Sequence, residues 1–105
     1  MPDHCVRLYL KLTDTRDGHI VERNKIIAFG DALKRAIDIA QAGQFDGDDF
    51  GQGQCILYIY GLDADSLFAA IEPVIRAHRK LTYGGYAVKR YGLPLNGIRE
   101  DKINL

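Results

Sequence analysis

Neither sign of charge is in excess in this chain, which has 14 Lys and Arg against 14 Asp and Glu. That balance weighs against a polyanionic partner, because nonspecific affinity for nucleic acid comes from clustered cations that displace counterions. Long apolar runs are missing as well. The longest near-continuous one, Cys55 to Tyr60, falls far short of the ~20 residues that span a bilayer. The start, Met1-Pro2-Asp3-His4, lacks a basic segment followed by an apolar one, so a soluble, cytoplasmic protein is expected. Ser66 is the only serine, and there are just two cysteines, Cys5 and Cys55. Each cysteine begins a strand and has no close-spaced second ligand, so both are expected as reduced thiols, with neither a disulfide nor a metal.

At 105 residues the chain has the length of one domain, residues 1–105, and no linker or internal repeat divides it. With 47% hydrophobic and 27% charged residues it is too apolar for disorder.

From His4 to Leu12 the residues alternate, with Val6, Leu8, Leu10 and Leu12 on one side and Cys5, Arg7, Tyr9 and Lys11 on the other. This is the pattern of a half-buried strand. The polar turn 13–18 leads to a helical stripe, Ile26, Phe29, Leu33, Ile37 and Ala40, which Gly43 is expected to stop in the left-handed conformation. Gly30 beside the stripe implies close packing. Gln44 to Phe50 reads as an edge strand, because Gly47 and three aspartates disfavour a central one. Gly51-Gln52-Gly53 turns the chain into a strand from Gln54 to Tyr60 that is apolar or aromatic at all six positions after Gln54.

Asp63 or Asp65 caps a second helix with Leu67, Phe68, Ile71, Ile75 and His78 on its apolar face. Pro73 is expected to kink it or to divide it at Glu72. Tyr83 to Tyr91 is a further strand, and Ile98 to Leu105 carries the weak alternation of an extra C-terminal edge strand.

The order β, α, β, β, α, β resembles the ferredoxin-like α+β sandwich, a two-layer fold whose antiparallel sheet has the order 4-1-3-2. That resemblance implies central first and third strands and two helices on one face of the sheet. Residues 57–68, Leu-Tyr-Ile-Tyr-Gly-Leu-Asp-Ala-Asp-Ser-Leu-Phe, also resemble small uncharacterised bacterial proteins, a likeness that implies no activity.

A sheet covered on one side would expose three large side chains of the Cys55–Tyr60 strand, so the open face is the surface to suspect. If Val6, Leu8, Leu10, Leu12, Leu57, Ile59 and Val88 face the helices, the other face carries Arg7, Tyr9, Lys11, Ile56, Tyr58, Tyr60, Ala87, Lys89 and Tyr91. Tyrosine and arginine are enriched where surfaces bind. The first expectation is therefore a homodimerisation or protein-interaction module without cofactor; strand propensity and cross-strand pairing alone would also favour tyrosines there.

The alternative is a small enzyme or ligand-binding domain with a pocket between sheet and helices, tested at His4, Arg7 and Tyr9. Third comes single-stranded nucleic acid: residues 84–91, Gly-Gly-Tyr-Ala-Val-Lys-Arg-Tyr, resemble the aromatic motif of RNA-recognition domains at four of eight positions.

The remaining candidates are poor. Asp46 to Gly51 has the spacing of a calcium loop, but Phe50 and Leu57 stand where oxygen ligands belong. The glycine pairs open no helix that could hold a phosphate. Ser66 sits where a helix cap would be selected, Asp17 and His19 form a solvated loop pair, and His78 ends a helix.

Overall fold

The computed structural model describes residues 3–13 and 19–105; most of the turn 13–18, including Asp17, lies outside the described residues. The elements are β1 (His4–Lys11), α1 (Ile20–Ala40), β2 (Gly43–Gly51), β3 (Gln54–Gly61), α2 (Ala64–Ala77), α3 (Arg79–Thr82), β4 (Tyr86–Arg90) and β5 (Glu100–Asn104). All strand pairings are antiparallel, and the sheet order is β2-β3-β1-β4-β5.

This corrects the four-stranded βαββαβ ferredoxin-like sandwich of order 4-1-3-2. Among the described residues the sheet has five strands and there are three helices. β5 pairs along the whole of β4, while Ile103 and Leu105 add apolar contacts to the core, so β4 is an inner strand. Three strands, β3, β1 and β4, are thus interior, not two.

The helices add their apolar side chains to a single core. Ile26, Phe29, Leu33 and Ile37 of α1 and Leu67, Ile71 and Ile75 of α2 meet Val6, Leu8 and Leu10 of β1 and Leu57 and Ile59 of β3. Four-residue α3 joins the same side through Leu81 and the buried Thr82. Ala40 is exposed and outside this stripe.

α1 ends two residues earlier than Gly43 would place it, and the left-handed position is Gln41, at φ 51°. Gly43 has a different reason to be glycine. A Cβ there would overlap the Tyr60 carbonyl and press on the Leu67 side chain, so the close approach of β2 to β3 requires its absence. Gly30 packs against the tip of the Phe45 ring, 3.3 Å from where its Cβ would lie.

Pro73 sits inside α2, which runs on unbroken through Glu72; the break comes later, at His78, where α3 begins. The β2–β3 hairpin turns on Gln52 and Gly53, at φ 52° and 78°, the pair of positive angles that matches the twist of the flanking strands. Among the described residues no helix is long and apolar enough to cross a membrane.

Candidate functional site: the open face of the sheet

The three helices of the described residues lie on one side, so among these residues the other face of the sheet has no helical cover. Strand register decides what it presents. Arg7 lies between Tyr58 of β3 and Val88 of β4, and Tyr9 between Ile56 and Tyr86. Lys102 of β5 extends the first of these rows beside Val88. Four tyrosines, Tyr9, Tyr58, Tyr60 and Tyr86, therefore share this face with Ile56 and Val88, all of them half-buried.

The side chains brace one another. Tyr9 and Tyr86 stack with ring centroids 4.4 Å apart and planes 14° from parallel. The Lys102 ammonium sits 4.3 Å from the centre of the Tyr86 ring, a cation held on the ring's negative face. Arg7 donates from Nε to the Tyr9 hydroxyl at 3.0 Å and pairs with Glu100 at 3.3 Å, reaching past Val88 to do so. Partial burial works against the Arg7 charge, but Tyr9 and Glu100 outweigh it and hold the guanidinium above the ordinary arginine range.

Glu100 on β5 is neutralised by Arg7, and the other charges on this face are segregated. β2 bulges between Phe45 and Asp48, placing Asp46 and Gly47 opposite Tyr58, and Asp49 pairs with Ile56. Burial raises the Tyr58 phenol and Asp49 adds to the shift; burial likewise raises Tyr60, helped by Cys5 and Asp46. Both phenols stay neutral well above physiological pH. One margin is thus acidic, with Asp46 and Asp49 exposed, while Lys102 is exposed near the other. The far end of the face is roofed: Arg90, 8% exposed, donates to the carbonyls of Gly92 and Asp3.

Of the residues expected on this surface, Arg7, Tyr9, Ile56, Tyr58 and Tyr60 lie on it, with Lys11 exposed at its rim. Lys89, Tyr91 and Ala87 do not. Ala87 pairs with Leu8 and is fully buried under the helices. Lys89 and Tyr91 both donate to Asp65 Oδ1 in the first turn of α2, at 2.8 and 2.6 Å. Those bonds hold the Asp65 carboxyl below its usual range.

The inverted parity of β4 has a steric reason. Small Ala87 lets α2 lie close to the sheet, and the Lys89 stem can run beneath Phe68 with its charge at the helix edge. Val88 consequently faces outward, against the expectation that the more apolar residue would point in. Tyr86, Lys102, Asp46 and Asp49 were missed, and only the register of β4 and the β2 bulge reveals them.

The other candidates serve local structure. His4, Arg7 and Tyr9 do not converge: His4 Nδ1 accepts from the Ala64 amide at 3.0 Å at the start of α2, on the helix side. Ser66 donates to the capping Asp63 at 3.1 Å, and His19 accepts from the Val21 amide as the cap of α1. His78 donates from Nδ1 to the Val74 carbonyl and leans on Phe29. Asp48 and Asp49, paired with Leu57 and Ile56 of β3, lie on opposite faces of the sheet, so the acidic run cannot converge on one ion; among the described residues no group of three or more His, Cys, Asp or Glu could hold a metal.

Both thiols are free and buried, and burial pushes Cys55 up to about 12. A groove of about 1010 Å³ is lined by the end of α1, the start of α2 and the adjoining ends of β2 and β3, and another of about 700 Å³ opens near His78 between α1 and α3. Among the described residues no buried side-chain nitrogen or oxygen lacks a partner.

Compared with known proteins, the chain matches no family model, no curated protein and no solved structure.

Proposed function

We propose that the protein is a noncatalytic interaction module that buries the open face of its sheet on association, with a second copy of the chain as occupant. The observation behind this reading is the braced array of Tyr9, Tyr58, Tyr86, Arg7 and Lys102 around Ile56 and Val88. Rigid aromatic side chains already held in place lose little further freedom on binding, which is why such residues dominate interface energetics. Both signs of charge occur on the face, as a self-complementary surface requires.

The size of the face sets the strength. Five strands spaced ~4.8 Å apart and ~20 Å long give a projected face of roughly 480 Å² per copy. Two faces total just under ~1,000 Å², at the weak end of specific interfaces, whose standard size is about 1,600 Å². The dimer is therefore expected to be concentration-dependent. Sedimentation equilibrium should show the 11.8 kDa chain gaining mass with concentration. An Ile56→Ser/Tyr58→Ser double variant should stay monomeric with an unchanged circular dichroism spectrum. A wild-type chain that stays monomeric at ~1 mM, where even a weak dimer would form, refutes the reading.

A further inference from the structure

The segregated charge on the open face specifies how two copies meet. We infer that the dimer has a two-fold axis parallel to the strands and running between β1 and β3, an inference that rests on the reading above. Face-to-face packing with two-fold symmetry keeps the strands nearly aligned and allows only a few placements of the axis.

An axis perpendicular to the strands would lay β2 on β2 and set Asp46 and Asp49 against their own copies. An axis along β1 would set Arg7 on Arg7 and Lys11 on Lys11. Half a strand of displacement removes both conflicts. β3 then lies over β1 of the second copy and β2 over its β4, with β5 flanking the acidic margin.

The register makes this arrangement specific. Arg7 and Tyr58 share a row, so the Arg7 stem meets the Tyr58 ring of the second copy while its guanidinium stays with Glu100; Tyr9 and Ile56 share the next row and meet likewise. Asp49 is level with Tyr9 and Tyr86. It therefore comes over Tyr86 of the second copy, whose ring carries the Lys102 ammonium at 4.3 Å. The Lys102 of each copy is thus shared between a tyrosine ring of its own chain and a carboxylate of the other, and Asp46 stands one row away.

Charge reversal tests this, since Asp49 and Lys102 are both exposed and neither substitution disturbs the core. Lys102→Glu and Asp49→Lys should each raise the dimer dissociation constant more than about tenfold, because like charges facing across an interface cost several kcal/mol. The combined D49K/K102E chain restores every cross-pair with its signs exchanged and should return to within about threefold of wild type. If the single reversals change nothing while I56S/Y58S abolishes association, the open face is the interface but this arrangement is wrong. The same holds if the singles weaken the dimer and the combination fails to restore it. If the wild type never dimerises, both readings fall together.

Discussion

The outward turn of Val88 and inward turn of Ala87 can be tested by a pair of substitutions whose costs exchange if β4 is reversed. Ala87 is fully buried against Leu8 beneath α2, and the layer around it is filled. Ala87→Leu forces three more carbons into that space, and overpacking of this kind costs about 1–3 kcal/mol. Val88→Thr keeps the shape and adds a hydroxyl. On the half-exposed open face that hydroxyl finds water and the residue remains a good strand former, so the cost should be below about 0.5 kcal/mol.

With Val88 inward, the hydroxyl would be buried without a partner at about 1–3 kcal/mol, while Ala87→Leu would be harmless. Urea unfolding followed by circular dichroism, at micromolar protein so that association does not enter, measures both. For a domain of this size each 1 kcal/mol also moves the melting temperature by about 4–8 °C. A Val88→Thr chain less stable than Ala87→Leu would overturn the assignment of the open face.

Gly43→Ala should cost about 2–3 kcal/mol in the same assay, because its Cβ overlaps the Tyr60 carbonyl, whereas Gly51→Ala, where the added carbon meets nothing within 4 Å, should stay within about 0.5 kcal/mol; equal costs would contradict the close β2–β3 approach. The cysteines should resist thiol reagents in the native state at pH 8 and react once urea unfolds the chain, rapid native labelling being the contrary result. Because burial raises Cys55 to about 12 while an unfolded thiol ionises near ~8.5, its contribution is complete below the lower value. Stability should then fall by up to about 1.4 kcal/mol per pH unit as pH climbs toward 12. A flat stability between pH 8 and 10.5 would argue that the thiol is not shielded.

Local chemistry wrote several features openly in the sequence. The alternation of β1, the apolar run of β3 and the helical spacing of Ile26, Phe29, Leu33 and Ile37 each repeat with the period of the element they form. Capping by Asp63 and the turn at Gln52-Gly53 follow from side chains and glycine within a few residues. The doubly apolar β3 also marked the open face, since a strand apolar on both sides needs a second surface.

What tertiary structure alone decided is which residues of β4 and β2 share that face. Strand parity flips with one residue of register, and the register of β4 is set by β1 and by the closeness of α2, which favours Ala87 over Val88. The bulge that turns Asp46 outward arises from pairing with β3. β5 belongs to the sheet because Ile103 and Leu105 reach a core assembled from distant segments. A short strand's own alternation is too weak to choose a side, and contacts across the sheet and helices choose for it.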